Sequence, residues 1–178
     1  LGDELHREII AETWRCIEKK DRGAIQNFFQ SGIPPALTKV LRKFVETTGS
    51  TEIVTTNYDR LIEYAIEAAE GEINTGFSGS YAGKFDLKPA IAGRKVNLYK
   101  VHGSVDWFRH KTNKNLVSSS FQADLSNFDP MIVTPGLGKY RETHEDPFRT
   151  VIAKADEAMK KAKSYLRSEE HTSELQSR

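Results

Sequence analysis

Apolar residues in the first part of the chain recur at helical spacing. Ile10, Trp14 and Ile17 fall at i, i+4 and i+7, with Leu5 and Ile9 close to the same face, which predicts a helix over residues 3–20. Asp21-Arg22-Gly23 is expected to break it, leaving a short apolar piece that ends at Phe28-Phe29. Ser31-Gly32-Ile33-Pro34-Pro35 reads as a loop, with proline at the entry of the next helix. That helix carries Leu37, Val40, Leu41, Phe44 and Val45 as a core-facing stripe and should end at Thr48-Gly49-Ser50. Ile53-Val54-Thr55 is a β-branched run suited to a buried strand. After it, Tyr58, Leu61, Ile62, Ala65, Ile66 and Ala69 form one apolar stripe of a further helix. Residues 36–70 thus read helix, strand, helix, as in a doubly wound unit.

Between Gly71 and Gly93 the pattern loosens. Gly76, Gly79 and Gly83 alternate with Phe77, Ser78, Ser80 and Tyr81, either as a surface connection or as a flap over a cleft. No strong strand precedes this stretch, so it is not a dinucleotide fingerprint. Val96 to Val101 is strand-like and runs into His102-Gly103. Trp107-Phe108-Arg109 and Leu116-Val117, joined across Lys111-Thr112-Asn113-Lys114, predict a hairpin. A polar loop from Ser118 to Pro130 leads to a buried strand at Met131-Ile132-Val133-Thr134-Pro135. Asp146-Pro147 opens the last helix, with Phe148, Ile152, Ala155, Met159 and Ala162 inward and Lys154, Lys160, Lys161 and Lys163 on a wet face. The fold class that emerges is α/β: a Rossmann-like, mostly parallel sheet flanked by helices.

Composition narrows the functions. At 178 residues, one domain is expected, and 38% apolar residues suffice for a core. A formal charge of +1 argues against a nucleic-acid or anionic-membrane partner. No apolar run approaches the ~20 residues of a membrane span. The single cysteine, Cys16, excludes an intrachain disulfide and fits a reducing cytoplasm. No His, Cys and carboxylate cluster has metal-ligand spacing, and no Ser-His-Asp elbow is present. His6 and Cys16 read as structural, and His110 and His144 as surface residues.

Chemistry concentrates at two places. Thr55-Thr56-Asn57-Tyr58-Asp59-Arg60 lies where a strand turns into a helix, so Asn57 and Asp59 sit at the carboxyl end of a strand, where open α/β sheets bind ligands. Asn and Asp are equally ordinary helix-capping residues there. Leu98-Tyr99-Lys100-Val101-His102-Gly103-Ser104-Val105-Asp106-Trp107 is the second place. His102 is either a core histidine at a strand end or a group able to exchange protons near neutral pH.

A strand-TTNYD-helix followed by a K-V-H-G-S-x-x-W run resembles the sirtuin-like NAD-consuming fold, in particular its bacterial branch of antiphage NAD-degrading modules. The resemblance covers roughly Thr38 to Leu166. It implies hydrolysis of NAD, as substrate, to nicotinamide and ADP-ribose, with Asn57 and His102 catalytic. Asn57, Asp59, Thr56, Gly103 and Ser104 are implied in holding the dinucleotide: Asn57 and Asp59 at the ribose, Gly103 by allowing close backbone approach, Ser104 as a hydrogen-bonding neighbour. Pro135 and Lys139 match a proline and lysine of the family. Sirtuin deacylases carry a four-cysteine zinc module in this part of the chain; no cysteine follows Cys16, so no zinc is expected. NAD-dependent lysine deacylation and non-catalytic sensing of NAD or ADP-ribose stand as alternatives. An effector domain or homo-oligomer is the expected partner. Residues 167–178 read as the translation of a sequencing adapter, excluded from the fold. Residues 1–166 are then a partial domain, lacking the family's glycine-rich first turn and its Gly-Tyr-Ser strand, and a poor enzyme by itself.

Overall fold

The computed structural model describes residues 2–46, 51–79, 83–86, 95–119, 126–134, 143–164 and 166–167. The chain order is α1 (Gly2–Ser31), α2 (Thr38–Val45), β1 (Thr51–Thr55), α3 (Leu61–Glu67), β2 (Glu72–Asn74), β3 (Phe77–Ser78), β4 (Gly83–Phe85), β5 (Lys95–Lys100), β6 (Gly103–His110), β7 (Leu116–Ser118), β8 (Phe128–Ile132) and α4 (Phe148–Lys161). Pro135, Lys139, Tyr81, the Thr48-Gly49-Ser50 helix stop and residues 168–178 lie outside the described residues.

β1, β5 and β2 form a parallel three-stranded sheet in the order β1-β5-β2. This is the α/β unit expected from the helix-strand-helix pattern. Along β5, Val96, Leu98 and Lys100 share one face while Asn97 and Tyr99 share the other. On the first face, Val96 packs with Leu41 and Val45 of α2 and with Ala65, Ile66 and Ala69 at α3 and its end. On the second, Tyr99 joins Trp107, Met131, Val133, Phe148, Val151 and Ala155, so that α4 covers this side. Asn97, buried in the sheet, is satisfied within it: it donates to Glu52 Oε1 at 3.0 Å and accepts from Asn74 Nδ2 at 2.8 Å.

A five-stranded antiparallel sheet, ordered β3-β4-β7-β6-β8, accompanies the parallel one. Its β6–β7 hairpin was expected, as was a strand at Met131–Pro135, but β8 starts earlier, at Phe128 inside the expected polar loop, and ends at Ile132. Its other strands are short or interrupted: β3 has two residues and β4 three, too few for period-two alternation to register. At the hairpin turn, His110 Nδ1 accepts from the Thr112 amide at 3.2 Å, so this histidine organises the turn locally.

Three helix expectations are corrected. α1 runs unbroken through Asp21-Arg22-Gly23. Asp21 does not compete for its own backbone, because both its oxygens are taken by a distant partner: Oδ1 accepts from the Arg60 amide at 2.7 Å, and Oδ2 from Arg60 Nε and Nη2 at 3.0 and 2.6 Å. The Trp14 indole, donating to the Val105 carbonyl at 2.7 Å, ties the same helix to β6. α2 buries Leu41 and Val45 but leaves Leu37, Val40 and Phe44 more than a third exposed. In α4, Val151 rather than Met159 is buried, and Met159 is 57% exposed. In both helices the periodic stripe is wider than the face actually covered.

The Asp21–Arg60 pair fastens α1 to the start of α3, with the Asp21 side chain wholly buried and that of Arg60 15% exposed. Replacing Asp21 by alanine strands a guanidinium and an amide together. Asp21→Ala is expected to lower the unfolding free energy by about 3 kcal/mol, measured by urea denaturation; a loss under about 1 kcal/mol would show that water replaces the carboxylate readily.

Candidate functional site

The two sequence motifs meet because β1 and β5 are hydrogen-bonded neighbours in parallel register, Thr55 opposite Lys100. The pairing extends one step further through Val101 N donating to Thr55 O at 3.1 Å. Asn57 and His102 each follow two residues beyond that last register pair, at the carboxyl ends of adjacent strands. The Tyr58 and His102 rings lie 6.4 Å apart, tilted by 32°. The Tyr58 hydroxyl donates to the Val133 carbonyl at 2.6 Å, and the Val133 amide donates to the His102 carbonyl at 2.9 Å. One residue beyond β8 therefore braces both turns.

Within the first turn, only Asp59 makes the helix-start bond that the sequence allowed for both residues. Asp59 Oδ1 accepts from the Leu61 amide at 3.0 Å, so this carboxylate caps the start of α3. Asn57 plays no such part. Its amide N–H bonds Thr55 Oγ1 at 3.1 Å, and its side chain is exposed, with no hydrogen-bond partner among the described residues. Thr56 is exposed beside it. His102 is half-buried.

Gly103 and Ser104 face inward. Gly103 has φ +87°, and a Cβ there would lie 2.0 Å from the Met131 carbonyl oxygen. What approaches this glycine closely is β8. Ser104 is wholly buried, its hydroxyl within 3.3 Å of the Tyr58 carbonyl and hydrogen-bonded to Asp106 Oδ1 at 2.5 Å. Asp106 Oδ2 in turn accepts from Ser118 Oγ at 2.6 Å.

Beneath the turns lies a buried group of charges that sequence reasoning missed. Lys100 is wholly buried, and its Nζ donates to the carbonyls of Tyr58 and Asp59 and, at 2.9 Å, to Glu63 Oε1. A signal existed: Lys100 continues the face of Val96 and Leu98, so period-two alternation points it into the core. Burial pushes the Glu63 carboxyl up to about 7; the Lys100 ammonium opposes that shift and Asp106 adds to it. Glu63 Oε2 is buried with no hydrogen-bond partner among the described residues. Arg60 is raised above its ordinary value by Asp21, against the opposing effect of its own burial.

Stability should track this titration. A carboxyl whose folded pKa is raised stabilises the fold fully below its unfolded value, near 4.5, and loses that contribution as pH rises to about 7. Glu63→Gln has no such loss. The unfolding free energy of the variant relative to wild type is expected to move in its favour by roughly 3 kcal/mol between about pH 4 and about pH 8, measured by denaturant titration at both; a pH-independent difference would show that Glu63 titrates as an ordinary carboxyl.

Among the described residues, no group of three or more His, Cys, Asp or Glu is placed to hold a metal ion, and no helix is long and apolar enough to cross a membrane. A search of curated proteins finds no match to the chain. A protein-family model described as the SIR2-like domain matches residues 51–161, from β1 through the last residue of α4, and the chain belongs to that family.

Proposed function

We propose that this domain hydrolyses NAD, releasing nicotinamide and ADP-ribose, and that it does so in the cytoplasm as part of a bacterial antiphage defence protein. Domains of the SIR2-like family use NAD. The observation that carries the reading is the exposed Asn57 amide and the His102 imidazole at the carboxyl ends of two directly paired parallel strands. This is the end of an open α/β sheet at which ligands bind.

In the reaction, water adds to the anomeric carbon of the nicotinamide ribose as the C–N bond breaks, its electron pair passing to the nicotinamide nitrogen. The water loses one proton, so NAD and water yield nicotinamide, ADP-ribose and H+. Positive charge develops at the anomeric carbon, as in glycoside hydrolysis. Asn57, with one acceptor and two donors, holds a ribose hydroxyl or the attacking water. His102 takes up the proton, a task for which an imidazole is suited near neutral pH. Asp59 keeps one oxygen on the helix start and offers the other to the ligand, adding negative potential near the developing charge. Thr56 flanks the same rim. Gly103 and Ser104 act from below, the glycine by admitting β8 and the serine by holding the Asp106 carboxylate.

No cysteine follows Cys16, so the four-cysteine zinc module of protein deacylases has no ligands here, which favours hydrolysis over deacylation. An effector domain or a second copy of the chain belongs to the same reading as the partner that the released signal or the NAD loss serves.

The test is nicotinamide release from NAD by an active homologue that carries both motifs, with and without an acylated peptide, alongside calorimetric NAD binding. His102→Ala and Asn57→Ala are each expected to lower kcat/KM by about 10²–10⁴-fold with the unfolding midpoint retained. Turnover undiminished in both variants would overturn the assignment. Consumption of NAD only together with the peptide would make the domain a deacylase, and binding without release a sensor.

A further inference from the structure

We propose that Lys100 is a positioning residue that sets the Asn57 turn against the His102 turn. The inference deepens the reading above and rests on it for its functional consequence. The ammonium at the end of β5 has three N–H donors, and the structure gives all three a partner: the successive carbonyls of Tyr58 and Asp59, and Glu63 Oε1. The two carbonyls belong to the residues directly after Asn57. His102 lies two residues beyond Lys100 on the same chain segment. A single side chain therefore spans from the strand that delivers the imidazole to the turn that delivers the amide.

Packing alone does not account for a lysine at this position. Its neighbours on the same face of β5 are Val96 and Leu98, buried against α2 and α3. A methionine of similar length would fill the same space without carrying a buried charge that burial disfavours. What methionine cannot do is donate to the turn. The Tyr58 carbonyl also receives the Val105 amide at 2.9 Å, but the Asp59 carbonyl has Lys100 as its donor. Glu63, on the first turn of α3, accepts from the ammonium on the other side. Asp106 lies close enough to act on both Glu63 and Arg60, so the pair sits in a mixed field of buried charges, with Asp21 behind Arg60.

Hydrogen exchange is read on the full chain, and turnover on an active homologue with the matching lysine and glutamate replaced. Lys100→Met is made alone and together with Glu63→Leu; the double variant leaves no unpaired buried carboxylate and serves where the single one fails to fold. Amide hydrogen exchange is followed at residues 57–60 and, as an internal reference, along β6. Exchange at 57–60 is expected to rise by about tenfold or more with β6 still protected, and kcat for nicotinamide release is expected to fall by about tenfold or more with KM for NAD changed far less. Retained protection at 57–60 in a folded variant overturns the proposal. So does a loosened turn whose turnover and NAD affinity stay at wild-type values. Nicotinamide release by the wild type alone reads the hydrolase assignment, so the two failures are told apart.

Discussion

The parallel pairing of β1 with β5 is the constraint on which everything else depends. Two stretches some forty residues apart in sequence become neighbours only because Thr51 to Thr55 run beside Val96 to Lys100 in a fixed register. A slip of one residue would put Ile53 on the face opposite Val96, Leu98 and Lys100. It would also carry His102 away from the level of Asn57. The register is held by burial on both sides: Val96 against α2 and α3 on one face, Tyr99 against α4 on the other. Fold stability and site geometry therefore rest on the same contacts.

Under the turns the protein keeps more charge than a stable core needs. Lys100 with Glu63 and Arg60 with Asp21 are buried or nearly so, and Asp106 is held between two serine hydroxyls. Buried ion pairs are weak stabilisers, because desolvation offsets much of their attraction. Their distribution is informative. Arg60 donates its amide and guanidinium bonds to Asp21 at one end of the TTNYDR turn, and Lys100 grips the carbonyls of Tyr58 and Asp59 in its middle. The charges cluster where irregular backbone has to be held in one conformation and helix or sheet ladders cannot do so. Such backbone groups, if buried, need partners from elsewhere.

Sequence patterning made the helix-strand-helix unit legible because its signals are local. The apolar stripe of α3 and the β-branched run of β1 are both several residues long and unbroken. The antiparallel sheet was mostly illegible because β3 and β4 are too short to alternate and β8 carries a proline at 130. The continuity of α1 was hidden for a different reason. Asp21-Arg22-Gly23 looks like a helix stop until Asp21 is seen to be bonded to Arg60, thirty-nine residues away. Asn57 and His102 were picked out by motif; Lys100 opens the second motif and continues an apolar face, but its link to Glu63 and the Tyr58 and Asp59 carbonyls lies in the third dimension. Gly103 illustrates both sides: its place in the His-Gly-Ser turn was readable, but not that the crowding neighbour would be the Met131 carbonyl.

The antiparallel sheet then has a role beyond covering the core. Val133, just past β8, accepts from the Tyr58 hydroxyl and donates to the His102 carbonyl. The Val105 amide of β6 donates to the Tyr58 carbonyl from beneath. The two turns at the end of the parallel sheet are thus braced by strands of the other sheet and by Lys100 within their own. All of these contacts fall on main-chain groups or on Tyr58, and none uses the Asn57 side-chain amide. That division of labour is what a site needs if its reacting groups are to be fixed in direction before a ligand arrives, because a polar side chain spent on holding the fold has nothing left to offer a ligand.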